Sequence, residues 1–318
     1  MSTLLLSKSD IAELLNMREV MDVVEQAFRD YASGQAQMPT KVYIELEKGD
    51  FRAMPSAVPG AVGVKWVNVH PANRELGLPT VMGILIYNDP DSAYPLAIMD
   101  ATEITAYRTA ATSANASRYL ARSDSRILGL IGAGRQAYMH LQSHALVFPI
   151  EVVRVCDLRP EAVEAFIGHF PAFNVEAAPA EKTAASDIVC TLTPARAPVV
   201  KASWISPGTH INAVGADAEG KQELESEILR MARVVVDDIR QACQAGEINV
   251  ALRQGLFKED QIWGTLGEII AGTKPGRQDA HAITVFDSTG LAIEDLATAR
   301  LVYQKAKQRG GYRAMDLV

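Results

Sequence analysis

The sequence predicts an α/β chain in which a doubly wound parallel sheet is joined to an α+β domain. Three observations carry that prediction. Between Arg126 and Asp157 an apolar run (Arg-Ile-Leu-Gly-Leu-Ile) enters Gly132-Ala-Gly134-Arg-Gln-Ala137, and a second apolar run, Glu151-Val-Val-Arg-Val-Cys156, ends on an acid. Beyond Asp157 helical and strand patterns keep alternating, as they do in a parallel sheet. Before residue 100, by contrast, strand-like segments follow one another with only turns between them, which suggests an antiparallel or mixed sheet with its own core.

In chain order, Val20, Val23, Val24, Ala27, Phe28 and Tyr31 recur at helical spacing, with Gly34 as the stop and Pro39 at the exit. Val42, Ile44 and Leu46 then alternate with Tyr43, Glu45 and Glu47. Lys48-Gly49-Asp50 reads as a turn, and Phe51 to Met54 and Ala61 to Val69 as strands. Two further strands, Thr80 to Tyr87 and Tyr94 to Met99, flank the turn-rich Asn88-Asp-Pro-Asp-Ser92. Thr102 to Ala121 is rich in alanine and poor in breakers, so a long helix is expected to lead into the parallel sheet. Helices follow at Glu161 to Phe170 and Ala180 to Ala185, with strands at Asp187 to Thr191, Thr209 to Ala213, Arg233 to Val236 and Ile283 to Phe286. A last helix, Leu291 to Lys307, is expected to pack back on the first domain.

Composition limits the functions available. With 318 residues, 48% hydrophobic and 22% charged, the chain can bury a large core and is long enough for two domains. Its longest apolar runs fall short of the ~18 residues that span a bilayer, and the N-terminus lacks a secretory pattern, so a cytoplasmic location and no membrane partner are expected. A net charge of −7 without a dense basic cluster argues against nucleic acid. Cys156, Cys190 and Cys243 are scattered and read as structural, the histidines are read as forming no ligand pair, and no metal is expected.

The glycine turn is built for a nucleotide. Gly132 permits a tight turn, Gly134 lets backbone approach a pyrophosphate, and Ala137 is small enough for the helix to pack while its N-terminal N–H groups face phosphates. Asp157 would accept hydrogen bonds from the ribose hydroxyls and repel a 2′-phosphate, favouring NAD over NADP. Charged residues within apolar segments form the second signal: Lys65 in Gly63-Val-Lys-Trp-Val-Asn-Val69, Arg52, Lys41 and Arg108. A lysine in such a strand either snorkels to the surface or faces a site that stabilises it. Four cations outside the nucleotide domain can converge on a substrate carboxylate, although spacing alone does not show convergence. Asp217, just after Ile211-Asn-Ala-Val-Gly215, stands where a parallel strand delivers residues to a ligand crevice; taken alone it reads equally as a cap or turn residue.

Together, Phe51 to Pro55, Lys65 to Pro71, Arg108-Thr-Ala-Ala-Thr112, the glycine turn, Asn212 to Asp217 and Phe286-Asp-Ser-Thr-Gly290 resemble the ornithine cyclodeaminase/mu-crystallin family over nearly the whole chain. Within it, Met38-Pro39 to Lys41, Arg52-Ala-Met-Pro and Gly215-Ala-Asp217 leading to Gly220-Lys-Gln-Glu-Leu224 are most similar to the archaeal-type alanine dehydrogenase branch. The resemblance implies a Rossmann NAD-binding domain over residues 119–291. It also implies a substrate-binding and dimerisation domain over 1–118, completed by 292–318, in a homodimer whose N-terminal strands share a barrel. By resemblance Lys65 is the catalytic lysine, Asp217 the carboxylate acting with it, and Lys41 and Arg108 are substrate or cofactor contacts. The expected cofactor contacts are Arg108, Thr109, Gly132, Gly134, Arg135, Gln136, Ala137, Asp157, Leu158 and Arg159. Thr193, Val214, Gly215, Ala216, Lys221 and Ser288 complete that set.

One departure bears on substrate. Where the family's cyclodeaminases have a glutamate just before the Met-Pro pair, this chain has Ala53 preceded by Arg52, a cation that would repel the ammonium of ornithine and attract a carboxylate. Mu-crystallin-like ketimine reductases favour NADPH and lack the carboxylate at the place of Asp217, so Asp157 and Asp217 both point away from them. The expected activity is NAD-dependent dehydrogenation of a small L-amino acid, with alanine and its 2-oxo acid foremost, and either Lys65 or Asp217 moving the proton. Cyclodeamination of ornithine or reduction of a cyclic imine such as pyrroline-2-carboxylate is the alternative, and nucleotide or ligand binding without turnover the third.

Overall fold

The structure, a computed structural model, describes residues 2–317 and divides into two compact units, Met1–Thr109 with Leu291–Val318, and Ala110–Gly290. In the first, β1 (Thr3–Leu6), β2 (Val42–Leu46), β3 (Gly49–Val58), β4 (Ala61–Val69), β5 (Val81–Asn88) and β6 (Pro95–Asp100) form one sheet with a short strand, Ala314–Met315. β2 to β6 are an antiparallel meander; β1 runs parallel to β6, so the sheet is mixed. Register places Met54, Lys65, Leu85 and Met99 side by side on one face. That face is covered by α2 (Met17–Ala32) and the C-terminal helix Ala292–Arg309. Asn16 caps α2 by accepting from the N–H groups of Arg18 and Glu19, and Val20, Val24, Ala27 and Phe28 form its buried stripe.

The sequence reading misplaced parts of this unit. The turn falls at Glu47 and Lys48, and Gly49 already begins β3. A Cβ on Gly49 would stand 2.3 Å from the carbonyl oxygen of Val69, so the paired backbone leaves room only for glycine. β3 continues past Met54 to Val58. Pro55 is tolerated because β2 stops pairing at Ala53, so no ladder bond is lost there. β1 and α1 (Lys8–Leu14) were not foreseen, being too short for their periodicity to show.

α3 (Thr102–Leu120) crosses the border between the units, which falls after Thr109 and not at 118. Its first turns bond within the β-rich unit through Thr105 and Arg108, its last through Ser113 and Ser117 to the histidines of α4 (Arg135–Ala145).

The second unit holds β7 (Ile127–Ile131), β8 (Val152–Cys156), β9 (Val175–Ala177), β10 (Ile188–Thr191), β11 (His210–Ala213), β12 (Arg233–Val236), β13 (Ile262–Thr265) and β14 (Thr284–Asp287). All run parallel, in the order β13-β12-β14-β11-β10-β7-β8-β9. β10, β11 and β14 are buried on both faces, which is why they read as short continuous apolar runs. Chain order reverses between β7 and β10. In such sheets ligands bind at the carboxyl ends of the strands flanking that point. The short strands β9 and β13 escaped the sequence reading.

Candidate active site

In the β-rich unit Lys65 points from β4 toward the C-terminal helix and is almost wholly buried. Its Nζ lies 2.6 Å from Asp295 Oδ2 and donates to Thr105 Oγ1 at 3.2 Å. Burial pulls the ammonium pKa down to about 7; Arg108 and Lys41 press the same way, against the pull of Asp295. Arg108, on α3, donates from Nε to Asp295 Oδ1 at 3.0 Å and from Nη1 to Glu294 Oε2 at 2.8 Å. Burial opposes its charge, but Asp295 and Glu294 outweigh that and raise its pKa further. Burial would likewise raise Asp295, yet Arg108 and Lys65 hold it below the usual carboxylate range. Asp295 therefore keeps its charge, balanced by Arg108, while Lys65 gains or loses a proton near neutrality.

Arg52 occupies the same face of the sheet, paired across from Val67, two residues along β4 from Lys65. Its Nε and Nη2 donate to the two oxygens of Asp50 at 2.7 and 3.0 Å, and its guanidinium stands 5.3 Å from the Tyr43 ring. Lys41 is buried and close enough to depress Lys65. The structure thus brings Lys41, Lys65 and Arg108 together, with Arg52 on the same sheet face. Asp295 and Glu294 were missed. The available signal was two adjacent acids in the otherwise apolar Leu291-Ala-Ile-Glu-Asp-Leu-Ala297, at the start of a helix expected to pack inward.

In the second unit Gly132 has φ +103, and a Cβ there would come 3.1 Å from the carbonyl oxygen of Leu192 at the end of β10. A Cβ on Gly134 would meet nothing within 4 Å, so space lies open where α4 begins with Arg135 and Gln136. Ala137 is fully buried, as close helix packing requires. Asp157 accepts from the N–H of Ala133 at 2.9 Å and from that of Arg159 at 3.0 Å. Burial acts to raise its pKa, but these bonds and the Arg159 guanidinium hold the carboxylate below its ordinary value. It braces the glycine turn as well as marking the end of β8. Leu158 is fully exposed.

At the ends of β10 and β11, Glu223 joins two loops. Its Oε1 accepts from Thr193 N and Oγ1, both at 2.7 Å, and its Oε2 from Gly215 N at 2.8 Å. Gly215 has no room for a side chain: a Cβ would lie 2.0 Å from the Thr193 carbonyl oxygen. Val214 N donates to Thr191 O, Ala216 is buried, and Asp217 pairs with Lys221 Nζ at 2.5 Å. Ser288, buried at the end of β14, donates its N–H to Ala213 O. Sequence reasoning missed the buried acids Glu223, Asp237, Glu247 and Asp287, although Glu223 lies within Gly220-Lys-Gln-Glu-Leu224 and Asp287 within Phe286-Asp-Ser-Thr-Gly290.

The histidines need correction. His140 and His144 lie four apart on α4, the spacing of a ligand pair, yet their Nε2 atoms contact Ser113 and Ser117 at 3.0 Å and each Nδ1 a backbone carbonyl at 2.8 Å. Burial lowers their pKa values to about 3 and about 4, so both are neutral members of a structural seam. Among the described residues no group of three or more His, Cys, Asp or Glu side chains is placed to hold a metal, and no helix is long and apolar enough to cross a membrane.

A parallel sheet carrying a glycine turn at its order reversal, and an acid at the end of the next strand, is the construction of dinucleotide-binding proteins. The chain belongs to the ornithine cyclodeaminase/mu-crystallin family, whose model matches residues 1–310. It is 50% identical over 308 residues to alanine dehydrogenase of Archaeoglobus fulgidus, covering 96% of each chain. It superposes on an archaeal alanine dehydrogenase dimer with bound NAD with a TM-score of 0.98 and 48% identity over 100% of both chains. The Δ1-pyrroline-2-carboxylate reductase of Thermococcus litoralis, in complex with NADH and L-proline, superposes with a TM-score of 0.96 and 40% identity over 99% of this chain and 100% of that one.

Proposed function

We propose that the protein is an NAD-dependent L-amino-acid dehydrogenase converting L-alanine, NAD and water to pyruvate, ammonium, NADH and a proton, and the reverse, as a homodimer. The observation that carries this reading is Lys65, buried, with its pKa near 7 and in contact with an Asp295 carboxylate that Arg108 keeps charged. A proton-transfer group works best with a pKa near the working pH. In the direction of oxidation Lys65 takes a proton from the substrate ammonium and releases it to solvent, then takes one from the water that adds to the imine and returns it to the departing amine. Arg52, Arg108 and Lys41 hold the substrate carboxylate, and Asp217 orients the water or balances the iminium charge.

The residues of the second unit fit a dinucleotide: the open space at Gly134, the start of α4 and the low-pKa Asp157 suit pyrophosphate and ribose. When bound, NAD supplies the two-electron acceptor for the substrate's Cα. Arg108, Thr109, the turn residues, Asp157 to Arg159, Thr193, Val214 to Ala216, Lys221 and Ser288 make up the proposed binding set. A cytoplasmic location goes with this reading, because the reaction draws on the cell's NAD pool.

The dimer is supported by the uncovered face of the mixed sheet. Val42, Ile44, Leu46, Trp66 and Ile84 are all exposed there on one side of the sheet, a contiguous apolar patch of the kind that marks an interaction site. Trp66→Glu is expected to halve the mass measured by sedimentation; an unchanged mass would place the interface elsewhere.

Absorbance at the nicotinamide band tests the activity. Oxidation of NADH that needs both pyruvate and ammonium is the expected result. Oxidation with pyrroline-2-carboxylate alone would move the protein to the cyclic imine reductases, a reading favoured by its 40% identity to the Thermococcus litoralis enzyme. Ammonia from ornithine without net reduction would make it a cyclodeaminase, against the charge of Arg52, and NADH binding without any turnover would leave a ligand-binding protein.

A further inference from the structure

Three buried carboxylates of the second unit are linked in series through backbone N–H groups. Asp287, at the end of β14, accepts from Glu247 N at 2.9 Å and Ile248 N at 3.2 Å. Glu247 in turn accepts from Glu223 N at 3.0 Å and Leu224 N at 2.7 Å. Glu223 then accepts from Thr193 and Gly215, on the loops that leave β10 and β11. Two glycines make room for the series: a Cβ on Gly246 would stand 2.4 Å from Asp287 Oδ2, and one on Gly215 2.6 Å from Glu223 Oε2. Glu223, Glu247 and Asp287 are fully buried. Burying three acids is unfavourable unless each is hydrogen-bonded, and an apolar core would be simpler if stability were the only requirement.

We propose that Glu223 is a positioning residue for dinucleotide binding, fixing the Thr193 and Gly215 loops in their binding shape before the ligand arrives, with Glu247 and Asp287 holding Glu223 in place. The proposal rests on the dinucleotide reading above. Preorganisation of this kind removes an ordering cost from binding, so its loss appears in affinity. Glu223 uses each oxygen for a different loop, so an amide NH₂ in Glu223→Gln must face an N–H donor. Glu247 accepts from Glu223 N through both oxygens, at 3.0 Å each, and from Leu224 N through Oε1, so it holds the backbone of Glu223 directly.

The test is NADH titration by fluorescence, with thermal unfolding alongside. Glu223→Gln is expected to weaken NADH at least tenfold while melting at a temperature similar to that of wild type, and Glu247→Gln, which acts only through Glu223, to weaken it by less. NADH binding within twofold of wild type in Glu223→Gln would overturn the proposal. Hydrogen exchange on the wild-type chain gives a second measurement that does not depend on that variant folding. Without NADH the amides of Thr193 and Gly215 are expected to exchange as slowly as those of β10 and β11; rapid exchange that slows only with NADH would overturn it. A wild-type chain that binds no NADH would defeat the dinucleotide reading, and the exchange measurement would still decide whether the loops are clamped.

Discussion

The two units bury different sets of charges and satisfy them by different means. In the β-rich unit the buried charges are the cations Lys41, Arg52, Lys65 and Arg108 beside the acids Glu103, Glu294 and Asp295, and Arg52, Lys65 and Arg108 each pair with a side-chain carboxylate. In the parallel-sheet unit they are the acids Glu223, Asp237, Glu247 and Asp287, and their partners are mostly backbone N–H groups. Backbone donors cannot titrate or turn away, so the acids fix geometry. Side-chain pairs share protons and charge, so the cation cluster leaves one group, Lys65, poised to change its protonation state.

The strongest way to break the geometric side is Gly215→Ala. The added methyl would sit against the Thr193 carbonyl and the Glu223 carboxylate, neither of which can yield without releasing the other. A destabilisation of about 3 kcal/mol, with NADH binding abolished, is expected from thermal unfolding and titration. A variant that still binds NADH like wild type would show that the clamp is slack.

The chemical side is broken next by Lys65→Met. Loss of a proton-transfer group is expected to lower kcat by about 10³ while NADH affinity stays within twofold. Substantial retained turnover would shift the proton transfer to Asp217.

Titration then sharpens the contrast, because the two regions respond to pH with opposite sign. Lys65 has its pKa lowered from 10.5 to about 7, so the folded chain binds fewer protons than the unfolded one between those values, and its contribution to stability rises across that window. Asp287 is raised from 3.8 to about 8 by burial and by the charge of Asp237. The folded chain then binds more protons, and that contribution is full below about 4 and lost as pH rises through 8. Melting temperatures followed across pH should therefore lose their alkaline rise in Lys65→Met and their fall between pH 4 and 8 in Asp287→Asn. Identical profiles for the two variants would contradict the assignment.

The smallest effect concerns cofactor choice. Asp157→Ser removes the charge that repels a 2′-phosphate and releases Arg159, whose guanidinium is about half exposed and lies 3.3 Å from Asp157. The ratio of NADPH to NADH use is expected to rise about tenfold, in line with one charge contact. An unchanged ratio would mean that Asp157 serves only to brace the turn.

Much of this was legible in advance for a physical reason. The glycine turn and its acid form a local pattern, because one strand, one turn, one helix and the next strand complete the construction. Lys65 and Arg108 stood out because charge inside an apolar segment demands a partner. The partners did not stand out: Asp295 lies 187 residues along the chain from Arg108, and only folding brings the C-terminal helix against β4. The His140 and His144 pair shows the converse, a local spacing that suggests ligands but is spent on Ser113 and Ser117 of α3.

By itself, then, the sequence determined the alternation of elements, the nucleotide turn and the identity of the cations, because each depends on neighbours within a few turns of the chain. Only the tertiary structure decided which acids those cations meet, how far the Lys65 pKa falls, and that Glu223, Glu247 and Asp287 act in series. Burial and pairing between distant segments set the free energy of a charge, and neither is written at the position that carries it.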